Sequence, residues 1–237
     1  MIVIRCDDRM RHRECASGSV AAGFPGASRV AIAMLGVLVL GCLGGCGSTK
    51  PSRYYQLTVP AAVAPTMAPA AVPATIIVGR PLTSDLYKDT RLVYSVGPEQ
   101  MGTYQRERWV GAPPMMIQEV FLRELRASGR YEGVHYPESN VIGDYALRGR
   151  LYDFKEVDSG GTPAARLTMD MELRNIKTGA AVWTLSYTHD EPVSAKTVPD
   201  VVAALNSNVQ RAAGEVAAGL EQYFSTHPIK QPEHAQR

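Results

Sequence analysis

Between residues 165 and 176 the sequence alternates apolar and polar side chains with a period of two, and few folds accommodate such a run. Leu167, Met169, Met171 and Leu173 share one side, and Thr168, Asp170, Glu172 and Arg174 the other. Successive side chains on a strand point to opposite faces, so the pattern describes a strand with one buried and one wet face. Two similar stretches flank it. Residues 144–157 put Tyr145, Leu147, Gly149 and Leu151 on a common face, and Ala181, Trp183, Leu185 and Tyr187 do the same further on. Turn-forming residues at 158–163 and 177–179 join the three. The expectation is an antiparallel meander whose apolar face another part of the chain must cover.

The C-terminal region supplies a cover. Val201, Leu205, Val209, Ala212, Val216, Leu220 and Tyr223 recur at steps of three and four, predicting a helix over 200–224 after Pro199. Asn206, Asn208, Gln210, Arg211, Glu215 and Glu221 fall mainly away from that stripe. A shorter amphipathic helix is predicted from Met115 to Gly129, with Pro113 and Pro114 at its start. There Met116, Ile117, Val120, Phe121 and Leu125 form the apolar side, and Met115 and Met116 read as core filler. Strands are expected at 53–59, 76–79, 91–96, 103–110 and 131–136. Residues 60–75 are Ala/Pro-rich and carry no charge, which predicts a semi-extended surface loop. Together these elements make an α/β single domain: a mixed sheet with an antiparallel three-strand meander, packed by a central helix and a long C-terminal helix.

The N-terminal end carries a different message. Arginines at 5, 9, 11, 13 and 29 precede the apolar run 30–40, which has 11 residues. A membrane-spanning helix needs about 20. A basic lead, a short apolar core and a small-residue exit describe a secretory signal instead. Leu43, Gly44 and Gly45 before Cys46 match a bacterial lipobox, where the signal is cut and the cysteine acylated. Cys42, after Val39, Leu40 and Gly41, is a competing site, and a plain signal with an incidental cysteine is the competing explanation. The expected organisation is a signal over 1–45, a lipidated tether over 46–52, a folded domain over 53–224 and a tail over 225–237. Gly47 after the acylated cysteine favours the outer membrane as destination.

Cleavage at Cys46 changes the composition. Five of the 25 Lys and Arg and three of the 23 Asp and Glu precede it, leaving 20 of each. A charge-balanced chain offers no general attraction for nucleic acid. Cys6, Cys15 and Cys42 would be removed and Cys46 consumed by lipid. The exported domain then has no thiol for a disulfide, metal site or nucleophile, and rests on its core. No phosphate loop, nucleophile elbow or paired metal-ligand spacing is present. His189, Asp190 and Glu191 form the one local cluster with acid–base potential, and it sits at a strand end. Asp170 and Glu172 read as cross-strand charge partners on a wet face rather than a catalytic carboxylate pair. No enzyme activity is expected.

The order of these features resembles a family. The lipobox, then Cys46-Gly47-Ser48 with Arg53-Tyr54-Tyr55-Gln56-Leu57, is similar to the start of the ABC-type transport auxiliary lipoproteins, the PqiC-like group. The middle also resembles it, through Ile76 to Gly79, Arg91 to Tyr94, and Arg108-Trp109 leading into the proline-started helix. So do Asp144-Tyr145 with Leu147, the meander, Glu191-Pro192-Val193 and the long last helix. The resemblance implies a periplasm-facing lipoprotein, typically of the outer membrane, accompanying ABC transporters that carry MCE-domain proteins and move lipid between membranes. It implies no cofactor beyond covalent N-acyl and S-diacylglycerol lipid on Cys46. The implied partners are an MCE-domain protein, ABC transporter components and the leaflet that holds the anchor. Exposed aromatics and edge strands are the first docking candidates: Tyr54 and Tyr55 beside the anchor, and Trp109, for which a core position is the favoured alternative. A lipoprotein scaffold or activator of a peptidoglycan enzyme would share these features.

Overall fold

The computed structural model describes residues 50–59, 72–97, 99–159 and 161–229. Among these residues nine strands form one sheet: β1 (Arg53–Tyr55), β2 (Val72–Val78), β3 (Leu82–Thr83), β4 (Arg91–Val96), β5 (Gln100–Trp109), β6 (Tyr131–His135), β7 (Tyr145–Ser159), β8 (Thr162–Asn175) and β9 (Ala181–Pro192). Two α-helices accompany them among the described residues, α1 (Pro113–Ala127) and α2 (Val198–Thr226).

The 15-residue β7 is the spine. One edge pairs antiparallel with β8 from Tyr145↔Asn175 to Ser159↔Thr162, and β8 pairs antiparallel with β9, which completes the expected meander. The other edge of β7 is shared by three strands in succession. β2 takes Tyr145 to Leu147, β3 takes Arg150 and Leu151, and β4 takes Glu156 to Asp158, all parallel. β6 extends the sheet beyond β2, while β5 and then β1 extend it beyond β4. One extra residue, Tyr152, enters β7 where the register steps from Leu151↔Met169 to Asp153↔Thr168. This bulge pushes Tyr152 into solvent and lets the inward row continue from Leu147 and Leu151 to Phe154.

The alternation in β8 behaves as expected: Leu167, Met169, Met171 and Leu173 are buried. The long helix covers them with Val201, Leu205, Val209, Ala212, Val216 and Leu220. At ~25 cal/mol per Å² of apolar surface, this interface contributes much of the domain's stability. Helix α1 packs on β2, β6 and α2 through Ile117, Val120, Phe121 and Leu125. The Gln118 amide donates to Val78 O at 2.9 Å and ties this helix to β2.

Several boundaries differ from the sequence reading, each for a physical reason. The first strand stops at Tyr55 rather than 59. Beyond it α2 takes over the backbone: the Asn206 side chain accepts from Thr58 N–H, and Gln210 donates to Thr58 O. β2 begins at Val72, inside the stretch read as loop. Pro73 is tolerated because the pairing with β6 shifts between Val72 and Thr75, leaving the proline outside the ladder. Residues 60–71 of that loop lie outside the described residues. The segment between the strands expected at 76–79 and 91–96 holds β3 and a 3-10 turn at Asp85–Tyr87. Met115 is half exposed rather than core filler, while Met116 packs against the core. Helix α2 starts from a Thr197 N-cap and runs through Thr226, so residues 225 and 226 are helical rather than tail. Residues 230–237 lie outside the described residues.

Candidate docking surface

Parallel pairing of β1 with β5 brings the three aromatic candidates together. Arg53 lies opposite Glu107, Tyr54 opposite Arg108, and Tyr55 opposite Trp109. Three residues of strand hold because the pairing continues past them, with Val110 N–H donating to Tyr55 O at 2.8 Å. On its other side Trp109 N–H donates to Thr90 O at 2.6 Å. The last tether residues, 50–52, are exposed as they enter β1. Cys46 and Cys42 lie outside the described residues.

The three rings have different surroundings. Tyr54 is 64% exposed. Tyr55 is half-buried, and its hydroxyl donates to Glu107 Oε2 at 2.8 Å, with Arg53 3.7 Å from the same carboxylate. Burial first, and the Glu107 carboxylate second, raise the Tyr55 pKa above that of a free phenol. Of the two sequence readings of Trp109, docking residue and core tryptophan, the structure shows the second. Its indole is 1% exposed and lies against Phe154, with ring centroids 5.3 Å apart. A ring that buries some 150–250 Å² belongs to the core, where it supports the strand that carries Tyr55.

The acid–base cluster at the strand end is built as an ion network. His189 Nε2 lies 3.1 Å from Glu191 Oε2, and the same oxygen accepts from Arg211 of α2 at 2.9 Å. Asp190 accepts two bonds from Arg166 of β8, both 2.7 Å, and this guanidinium holds its carboxyl below the usual carboxylate range. The network therefore joins β8, β9 and α2. Asp170 and Glu172 stand opposite Arg150 and Arg148 in the register, as the wet-face reading expects. Their contacts run elsewhere: Asp170 accepts from the Tyr152 hydroxyl at 2.9 Å, and Glu172 pairs with Arg174 along its own strand at 3.2 Å. Among the described residues no group of three or more His, Cys, Asp and Glu could hold a metal ion. No described helix is long and apolar enough to cross a membrane.

Asn208 is a structural residue that sequence reasoning placed on the wrong side of α2. It is fully buried, and its amide donates to Ala165 O at 3.0 Å and His189 O at 2.8 Å. A signal was present: Asn208 stands three residues after Leu205 and four before Ala212, on the stripe itself.

The fold has solved counterparts. A crystal structure of a Xanthomonas campestris protein of the DUF330 family is 21% identical, with a TM-score of 0.64, covering 74% of this chain and 98% of that one. A second solved structure, of an uncharacterized protein, is 13% identical with a TM-score of 0.58, covering 72% of this chain and 99% of that one. At these identities the likeness is one of fold. No match arises among curated proteins. The family model for the ABC-type transport auxiliary lipoprotein component matches residues 55–217, from the end of β1 into the last helix. The chain is therefore a member of the ABC-type transport auxiliary lipoprotein family.

Proposed function

We propose that this protein is a periplasm-facing lipoprotein subunit of an ABC/MCE-type transporter, anchored through acylated Cys46 at the outer membrane. It serves lipid transport and envelope integrity as a fixed dock for a transporter component, without catalysing a reaction. The match to the family model over 55–217 carries this reading. The geometry is consistent with it: Tyr54 is exposed on β1, whose outer edge has no strand partner among the described residues, directly after the tether. An aromatic ring beside an open strand edge suits both aromatic anchoring and strand addition. The anchor itself follows from chain chemistry. Each buried CH₂ contributes ~0.8 kcal/mol, and stable attachment takes more than one acyl chain.

The test is a crosslinked pull-down of the acylated protein from its own cells beside a Cys46→Ala control. Co-purification of an MCE-domain or ABC component with the acylated form is the expected result. Recovery of a peptidoglycan synthase in its place would replace this reading with that of a scaffold for a cell-wall enzyme.

A further inference from the structure

Three concavities adjoin one another where β3, the start of α1 and the outer face of β7 meet. Their volumes are about 300, 510 and 480 Å³. The first two share Met115, and the last two share Arg80 and Leu82, so they lie in a row as successive parts of one grooved surface. One half is apolar. Val59, Val110, Met115 and Leu82 line it and are 36%, 58%, 48% and 64% exposed, an unusual density of solvent-facing apolar side chains. The other half is cationic. Arg80, Arg148 and Arg150 line it, and among the described residues none has a carboxylate within 4.0 Å.

Of the carboxylates in the groove wall, Glu119 pairs with Arg123 and Glu172 with Arg174. Asp170 accepts only from the neutral Tyr152 hydroxyl and keeps its charge, so the three guanidinium groups outnumber one unpaired carboxylate. Lys88, the remaining cation in the wall, is paired with Asp85. The α1 N-terminus is not an anion site. Its first two residues, Pro113 and Pro114, have no N–H, and the N–H groups of Met115 and Met116 both bond to Ala112 O.

From this charge pattern we infer that the groove docks an extended segment of a partner protein, in which alternate apolar residues are followed by a run of carboxylates. The inference rests on the docking role proposed above and names its surface and the chemistry of its occupant. The apolar row would fill the Val59–Met115–Leu82 half, and the carboxylates would meet Arg80, Arg148 and Arg150 through paired guanidinium bonds. An extended peptide suits a groove open to solvent, because its side chains alternate between wall and water. An acyl chain in the same groove would leave much of its length in water, and each exposed methylene weakens its binding.

The probe is a short fluorescein-labelled peptide with alternating leucines followed by glutamates, titrated into the full-length protein in detergent micelles by anisotropy. A counterpart with lysines for the glutamates is the control, and dodecyl phosphate is the competing amphiphile. Expected are binding at least about tenfold tighter for the acidic peptide, and weakening as added salt screens the contact. Met115→Asp should weaken it about tenfold, as should the double change Arg148→Gln with Arg150→Gln. Thermal unfolding checks that these variants fold, and Val110→Asp stands in for Met115→Asp if that one does not. Equal binding of the two peptides, or full binding by the folded variants, overturns the inference. So does binding of dodecyl phosphate without the acidic peptide. In the pull-down, a wild-type protein that captures no transporter component fails the docking role itself. If wild type and Met115→Asp both capture it, only the groove assignment fails.

Discussion

The Tyr187 hydroxyl donates to Asn208 Oδ1 at 2.6 Å, inside the interface between β9 and α2. Both residues are buried, and the other end of the Asn208 amide donates to two carbonyls, Ala165 O on β8 and His189 O on β9. One side chain thus links the helix to the last two strands of the meander. Burial pushes the Tyr187 pKa up to about 12, further from ionisation than an ordinary phenol, which is itself a donor at physiological pH.

Replacing Asn208 with Ala leaves one buried hydroxyl and two carbonyls without this partner. The expected loss is about 3 kcal/mol, against about 1 kcal/mol for Tyr187→Phe, read from urea unfolding. If the two substitutions cost the same, Asn208 is not the hub of the network.

Two glycines of α2 should respond oppositely to alanine. A Cβ at Gly214 meets nothing within 4 Å, so Gly214→Ala gains helix propensity and should stabilise by about 0.5–1 kcal/mol. At Gly219 the new Cβ would stand 2.6 Å from the Trp183 ring. Gly219→Ala should therefore lower the melting temperature, because a stiff indole must move or the helix must lift off β9. Stabilisation at both positions would contradict this contact.

The ion pair between Arg166 and Asp190 sets a pH dependence. The folded carboxyl is held below its ordinary value by Arg166, so its contribution is fully present above the unfolded pKa and fades as pH falls through the folded one. Asp190→Asn should cost less than about 1 kcal/mol near neutrality, since both side chains are over a third exposed and screened by solvent. That difference from wild type should shrink as pH falls below about 4 and vanish only once pH lies below the lowered folded pKa. A difference that grows under acid would reverse the assigned sign.

Tyr54 and Trp109 should separate binding from stability. Tyr54→Ser changes an exposed ring and should shift stability by no more than about 0.5 kcal/mol while reducing crosslinking to the partner. Trp109→Ala empties a core position and should cost about 3–5 kcal/mol. Undiminished crosslinking by Tyr54→Ser would remove this ring from the dock.

The meander and both helices were legible because each is a local period: two on β8, three and four on α2. Asn208 was read as outward because it is polar, although its spacing from Leu205 and Ala212 pointed inward. Pro73 hid the start of β2, since a proline inside a strand is tolerated only through a register shift that β6 imposes from elsewhere in the chain.

The sequence by itself determined the elements that repeat along the chain, the lipobox pattern before Cys46 and the family resemblance that the family model bears out. Only the tertiary structure decided which partners share the spine: β2, β3 and β4 divide one edge of β7, a non-local arrangement that no local period encodes. It also decided the fates of Tyr54 and Trp109. Both are aromatic residues in short strand-like stretches. Which ring faces water depends on the pairing of β1 with β5 and on Phe154 lying beneath Trp109, and these contacts exist only once distant segments have met.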